Sequence, residues 1–172
     1  MPALPIRIYP DPVLRARCAE VEDFDGKLRA LAENMIETMH LAPGIGLAAS
    51  QVGVERRLAV VDLSVGEDPE QLLVLVNPRV SEADGEESES EGCLSIPEFT
   101  EKVSRPERIR VKAQDLDGEL FELEADGLLA RAIQHEIDHL DGVLFVDHLR
   151  GLRRDRAKRF LRRLREEQGV TV

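Results

Sequence analysis

Apolar side chains recur at helical spacing in three parts of the chain. Between residues 27 and 40 they return every three or four positions, which predicts a first helix. The same spacing predicts a second helix from about residue 127 to residue 140, with Asp126 in position to cap its first turn. From about Leu149 onward, apolar residues stand among many arginines, which indicates an amphipathic last helix.

The middle of the chain has the short apolar runs that are typical of strands. Residues 57–64 and 72–80 are rich in Val and Leu, and each run predicts a strand. Residues 109–114 and 119–124 alternate apolar with polar positions on either side of Asp117-Gly118, which predicts a hairpin with its turn at that pair.

Two further segments carry weaker patterns. Residues 82–91, with the sequence EADGEESESE, are acidic and rich in turn formers, so we expect a solvated loop. Residues 143–146 are apolar and predict a short strand or extended piece. The whole pattern favours an α+β fold, in which mixed or antiparallel sheets pack around the second helix and are flanked by an N-terminal and a C-terminal helix.

Length and cysteine content limit the class of protein. A chain of 172 residues is long enough for one domain with its own core. Its two cysteines, Cys18 and Cys93, are far apart in sequence and do not suggest a disulfide framework, which favours a reducing compartment. No apolar run approaches about 18 residues, so no membrane span is expected. The N-terminus also lacks the apolar core of a signal peptide, and we therefore expect a cytoplasmic protein.

Charge is distributed very unevenly along the chain. The formal net charge is −11, yet residues 1–149 hold 14 Lys and Arg against 31 Asp and Glu, and residues 150–172 hold 9 against 3. We therefore expect a single acidic domain over residues 1–149 and a basic helix over residues 150–172, packed on the domain or extending from it. Such a helix is either a solvated amphipathic surface or a contact for an anionic partner.

The second predicted helix contains the pattern H-E-x-x-H. His135 and His139 are four residues apart, so a helix stacks both imidazoles on one face, where they can bind one metal ion. Glu136 lies about 100° further around the helix. It can border the metal without binding it, which suits a general base that acts on water.

A catalytic metal of this kind normally has a third protein ligand. No third histidine follows the H-E-x-x-H pattern at ligand spacing, and His40 and His148 belong to no motif. Cys93 follows Gly92, whose small size allows close approach of the backbone, whereas Cys18 fits a buried apolar thiol better. Two imidazoles and a thiolate leave one open position, as catalytic sites do, and by donor type alone they favour zinc.

Three motifs together resemble the peptide deformylase family. The family pattern consists of G-I-G-L-A-A-x-Q, E-G-C-L-S and Q-H-E-x-D-H-L. The chain has all three in that order, at residues 44–51, 91–95 and 134–140. The resemblance extends over nearly the whole chain and is weakest after about Leu152.

The resemblance implies a metal-dependent hydrolase that removes the formyl group from N-formylmethionine at the start of nascent polypeptides. It implies Fe(II) as the native metal at Cys93, His135 and His139, with Zn, Ni or Co able to replace it. Glu136 would be the general base. The side-chain amide of Gln51 and the backbone N–H of Leu94 would stabilise the oxyanion.

The substrate of such an enzyme is the N-terminus of a peptide. Its backbone is expected to pair, as an added strand, with Ile45, Gly46 and Gly92. Residues seven, four and three positions before His135 share its helix face and are expected to line the methionine pocket: Leu128, Arg131 and Ala132. The stem of Arg131 would line the pocket mouth while its charge stays in water.

Two further expectations concern contacts outside the reacting centre. Asp138 lies on another helix face than the histidines, where a buried partner such as Arg105 would suit it as a brace for the site. The basic helix would bind ribosomal RNA near the tunnel exit, a partner that the resemblance implies, and the protein is expected to be a monomer. An H-E-x-x-H metalloprotease and a binding protein with a structural metal are the alternatives.

Overall fold

The strands form two antiparallel sheets. A computed structural model describes residues 3–169, and within that range a five-stranded sheet and a two-stranded sheet are present. The strands of the large sheet, in spatial order, are β1 (Gly46–Ala48), β2 (Leu58–Val61), β3 (Leu73–Asp84), β6 (Arg108–Gln114) and β7 (Leu120–Asp126). The small sheet pairs β4 (Glu87–Cys93) with β5 (Ile96–Arg105).

Helices flank these sheets as predicted. They are α1 (Gly26–Leu41), α2 (Gly127–Leu140) and α3 (Gly151–Glu167). Asp126 stands at the N-cap position of α2, although its side chain makes no capping hydrogen bond. Among the described residues no helix is long and apolar enough to cross a membrane. Single 3-10 turns occur at Pro12–Arg15, Ala49–Val52, Pro69–Gln71 and Phe145–His148.

The large sheet is packed between α1 and α2. Every residue of β2 is buried, and successive side chains of a strand point to opposite faces of a sheet. Leu58 and Val60 therefore pack with Met35 of α1, while Val61 packs with Ile133 of α2. This two-sided burial explains why the strand is a continuous apolar run. It also fixes α2 firmly across the sheet.

A third apolar cluster joins the small sheet to the last helix. Ile96 and Val103 of β5 pack with Phe145 and with Ala157 and Leu164 of α3. The basic helix is therefore attached to the body of the protein through one apolar face.

The structure confirms the α+β class, and the hairpin β6–β7 turns at Asp117-Gly118 as predicted. The expectation of a solvated loop at residues 82–91 was wrong. Strand β3 continues to Asp84, and β4 begins at Glu87 after a short turn. Both segments are held by backbone hydrogen bonds to neighbouring strands while most of their side chains face solvent. They therefore show no apolar alternation, and only Glu91 of β4 is buried.

Residues 143–146 were predicted to be a short strand or extended piece, and this prediction was wrong for Phe145 and Val146. Phe145–His148 forms a 3-10 turn, whose N-cap residue Leu144 is extended. The side chain of Asp147 accepts a hydrogen bond from the backbone N–H of Leu144 at 2.9 Å. This local bond, together with burial of Phe145, favours a turn over a strand.

Candidate active site

Helix α2 brings the two predicted histidine ligands together. His135 and His139 are both buried, and their Nε2 atoms lie 3.2 Å apart. The rings meet edge to face with centroids 4.9 Å apart. Burial of Ile133 and Ile137 on neighbouring positions holds this helix face in place.

Cys93 completes a cluster of three possible metal ligands. The register of β4 against β5 shifts between Gly92 and Cys93, and Sγ of Cys93 lies 3.3 Å from Nε2 of His139. The three ligand atoms lie within 4.8 Å of one another. Tetrahedral bonds to one ion would place nitrogen and sulfur ligands roughly 3.3–3.6 Å apart. The spacing of the cluster therefore fits a single metal ion.

The pKa values of the two imidazoles are shifted in opposite directions. Burial lowers the pKa of His139 well below its usual value, and the neighbouring His135 lowers it further. Burial also lowers the pKa of His135, but Glu136 and hydrogen bonds to Cys93 and Glu91 outweigh it and raise that pKa well above its usual value. Protons and a metal cation compete for the same nitrogen lone pairs.

Glu136 lies beside the cluster, and its burial and raised pKa suit it to proton transfer. Its side chain is 4% exposed, and no protein atom in the described part of the chain hydrogen-bonds to its Oε1. Burial raises the pKa of Glu136 to about 7. A carboxylate with such a pKa can take up and release a proton near neutral pH.

Gln51 is held by hydrogen bonds next to Cys93. It is buried in the 3-10 turn after β1, where its Oε1 accepts a hydrogen bond from the N–H of Ala48 at 3.0 Å. Its Nε2 donates to Oγ of Ser95 at 3.1 Å and lies 3.6 Å from Sγ of Cys93. The amide N–H groups therefore face the ligand cluster.

A cleft of about 540 Å³ opens onto these residues. Its lining includes Gln51, Cys93, His135 and Glu136. Leu94, the second predicted oxyanion donor, also lines it, as do the predicted substrate-binding residues: Ile45, Gly46, Gly92, Leu128, Arg131 and Ala132. The lining also includes residues of β5 that were not predicted, among them Pro97, Glu98 and Phe99. Sequence spacing missed them because they approach the cleft from β5 and not from a motif.

Comparison with known proteins places the chain in a family. A family description named polypeptide deformylase matches residues 3–155. The peptide deformylase of Acidobacterium capsulatum is 51% identical over 160 residues, which cover 93% of this chain and 94% of that one. The peptide deformylase of Alkalilimnicola ehrlichii is 51% identical over 172 residues, covering 100% of this chain and 96% of that one. The chain belongs to the peptide deformylase family.

Solved structures agree with this family membership. A peptide deformylase from Legionella pneumophila has a TM-score of 0.89 at 42% identity and covers 99% of this chain and 100% of its own. That from Thermus thermophilus has a TM-score of 0.89 at 43% identity, covering 96% and 99%. The enzyme is thus a metal-dependent hydrolase that acts on the formyl-methionine of nascent peptides, and the metalloprotease alternative is not supported.

The position of Arg131 in this deformylase differs from the prediction. Its side chain is buried, and its charge does not lie in water. One terminal nitrogen donates to Glu91 Oε2 at 2.6 Å and to the carbonyl of Val103 at 2.8 Å, and the other donates to the carbonyl of Glu87 at 2.7 Å. A carboxylate and two carbonyls accept these hydrogen bonds, and they offset the cost of burying the guanidinium charge.

Glu91 is the functional neighbour that sequence reasoning missed. Its carboxylate accepts hydrogen bonds from Nε of Arg105 at 2.5 Å, from Arg131, and from Nδ1 of His135 at 2.9 Å. Burial alone would raise its pKa, but the bonds from His135 and Arg105 hold the pKa of Glu91 at about 2. A carboxylate on Nδ1 fixes the ring so that Nε2 faces the ligand cluster. Its position two residues before Cys93 was the feature of the sequence that could have indicated a role near the ligand cluster.

The predicted pairing of Asp138 with Arg105 is confirmed. The guanidinium of Arg105 donates to Asp138 at 2.9 Å and to Glu91, so it bridges the two carboxylates. His148 also contacts Asp138, with 2.8 Å between its Nε2 and the carboxylate. His40 lies 2.7 Å from Asp62 instead. Neither His40 nor His148 joins the ligand cluster.

Proposed function

We propose that Cys93, His135 and His139 hold one divalent metal, which is Fe(II) in the native enzyme and can be replaced by Zn, Ni or Co. The spacing of the three ligand atoms supports a single ion, and the preference for iron rests on the resemblance to the family. A metal at this position supplies Lewis acidity, which lowers the pKa of water and polarises the formyl carbonyl.

We propose Glu136 as the group that moves protons in this reaction. It accepts the proton of the attacking water and delivers it to the amine that leaves the formyl carbon. The observation that carries this role is the buried carboxylate of Glu136 at the wall of the cleft, beside the ligand cluster. One of its oxygens has no hydrogen-bond partner among residues 3–169. Gln51 Nε2 and the N–H of Leu94 are the proposed donors to the oxyanion.

The peptide is proposed to bind along the cleft as an added strand. Ile45 and Gly46 form one side and Gly92 the other, and backbone pairing of this kind tolerates many sequences. Leu128, Ala132 and the aliphatic stem of Arg131 form the pocket for the methionine side chain. The ion pair with Glu91 supports this role, since it holds the stem in one position.

Replacement of Glu136 by Ala tests this mechanism. We expect the variant to keep its fold and its metal while it loses deformylation of formyl-Met-Ala-Ser by at least ~100-fold, because the proton acceptor is gone. Metal content, circular dichroism and formate release are the measurements. Glu33→Ala, an exposed change on α1, is the control and should retain full activity. Persistent activity in a metal-loaded Glu136→Ala enzyme would overturn the proposed mechanism.

The basic helix α3 is proposed to bind ribosomal RNA near the exit of nascent chains. Its apolar side is buried against β5, while the opposite side carries exposed arginines on an otherwise acidic protein. Phosphate backbones attract such a surface in a salt-dependent manner. The same proposal places the enzyme in the cytoplasm, as a monomer with one catalytic domain over residues 1–149 and the basic helix over residues 150–172.

Charge reversal on the outer face of α3 tests ribosome binding without disturbing the buried face. The test variant carries three Arg→Glu changes at Arg159, Arg162 and Arg163. A control variant with an equal change in charge carries Glu at exposed positions of the body: Arg17, Lys27 and Arg79. Co-sedimentation with ribosomes at low salt should be lost in the first variant and kept in the second. Equal co-sedimentation of both variants would contradict the proposal, and sedimentation of the free enzyme checks for a monomer.

A further inference from the structure

A column of aromatic rings connects α3 to the ligand cluster. Phe160 of α3 stacks on Phe99, with ring centroids 5.0 Å apart and planes inclined by 28°. Phe99 lies 6.2 Å from Phe145, and Phe145 stacks on His135 at 6.0 Å. All these separations fall within the range of interacting aromatic pairs. The last helix is thus in continuous contact with the wall of the active site.

Phe99 belongs to the part of β5 that backbone pairing supports least. Gly92 pairs with Thr100, but the next pair joins Cys93 to Ile96, so residues 97–99 bulge out of the ladder. Glu98, within this bulge, has a positive φ of 66°. The same three residues line the substrate cleft. A bulged segment without ladder partners depends on side-chain packing for its shape.

Helix α3 provides that packing from outside the cleft. Ala157 and Leu164 are buried in the third apolar cluster, to which Phe99 and Phe160 also belong. Arg156 donates to Glu101, two residues beyond Phe99 on β5, at 3.0 Å. Contacts on both sides of Phe160 therefore hold its ring against Phe99.

We propose that Phe160 is a positioning residue for substrate binding: its ring holds Phe99, and with it the bulged wall of β5, in the shape that receives the formylated peptide. The inference rests on the proposed function, in which the peptide lies along this cleft. It assigns α3 a second role, since the helix that carries the basic surface also completes the substrate site.

A double-mutant cycle tests this coupling. Phe160→Ala should raise KM for formyl-Met-Ala-Ser by about 3- to 10-fold, the range expected for loss of one aromatic pair, and leave kcat within about 2-fold. Phe99→Ala should do the same. The double variant should bind no more weakly than Phe99→Ala alone, because both changes remove one interaction. Leu152→Ala, at an exposed position of α3, is the control and should leave KM unchanged.

Three outcomes would overturn the proposal. A folded Phe160→Ala enzyme with unchanged KM would leave Phe160 a purely structural role, as would additive effects in the double variant. A fall in kcat at constant KM would mean that the ring column acts on His135 and not on the peptide. If Phe160→Ala fails to fold, Phe160→Leu serves in its place. Glu136→Ala is assayed in parallel, so failure of the proposed mechanism is recognised separately.

Discussion

The site has no room for a side chain at Gly46, which lies against the carboxylate of Glu136. A Cβ at this position would lie 2.5 Å from Oε2 of Glu136, closer than atoms can approach. Gly46→Ala should therefore displace the carboxylate and lower kcat by about 10- to 100-fold, because Glu136 is the proposed proton acceptor and a small misplacement of such a group is costly. Steady-state kinetics on formyl-Met-Ala-Ser with a metal-loaded enzyme measure the effect.

Gly26 provides the matched control for that substitution. It opens α1, and a Cβ there would meet no atom within 4 Å. Gly26→Ala should leave kcat and KM unchanged. If both alanine variants were equally active, the close contact between β1 and Glu136 would have no catalytic importance.

Arg131 is a second residue whose effect depends on burial. Arg131→Met removes one cation from the carboxylate of Glu91 and two hydrogen bonds to backbone carbonyls. We expect the free energy of unfolding to fall by about 3–5 kcal/mol, as when one partner of a buried ion pair is removed. Urea denaturation measures it. Arg159→Met, an exposed change on α3, should cost less than about 0.5 kcal/mol, and equal losses at both positions would contradict this account.

At the scale of elements, Asp62 links α1 to the end of β2. Its buried carboxylate lies 2.7 Å from Nε2 of His40 and accepts hydrogen bonds from the N–H and Oγ of Ser64 and from the N–H of Gly66. The backbone N–H of Asp62 in turn donates to the carbonyl of Ile45 at 2.8 Å. This loop therefore supports the segment that is proposed to pair with the peptide.

The pKa of Asp62 makes this support dependent on pH. Burial alone would raise the pKa, but hydrogen bonds from Ser64 and His40 lower it below its usual value. The stability it contributes is therefore present above the unfolded-state pKa of about 3.9 and is lost as pH falls through the lower folded-state value. Asp62→Asn should cost about 1–3 kcal/mol at pH near 7. The difference from the unaltered chain should shrink at pH near 3, and urea titrations at both values test this.

Helices and strands with a buried apolar face were predicted correctly from the sequence. A strand that is held mainly by backbone hydrogen bonds, with most side chains exposed, was not. Helix α2 was predicted with its correct ends, because its apolar face is long and regular. Strand β4 was missed, since Glu87, Ser88, Glu89 and Ser90 show no apolar alternation. That strand is held by backbone hydrogen bonds to β5, the next strand along the chain, and such pairing does not require apolar side chains.

At the scale of the whole molecule, the third apolar cluster joins α3 to the catalytic part of the chain. Deletion of residues 150–172 removes Ala157, Phe160 and Leu164 from that cluster. We expect the free energy of unfolding to fall by about 3 kcal/mol or more, and the melting temperature by about 6–12 °C. Calorimetry measures this. The triple variant at Arg159, Arg162 and Arg163 keeps the buried face and should melt close to the unaltered chain; an equal melting temperature of the truncated chain would show that α3 adds no stability.

The amino-acid sequence by itself determined the family of this enzyme and the candidate residues for its chemistry. The types and spacing of His135, His139, Glu136 and Cys93 indicated a hydrolytic metal site, because one helix turn sets the distance between two ligands and a glycine-flanked thiolate suits a third. Tertiary structure alone decided the surroundings of that site. It buried Arg131 against Glu91, and it brought Phe160 of the last helix to the cleft wall. These contacts join residues 40 to 61 positions apart, and such partners are selected by packing across the fold and not by any local pattern.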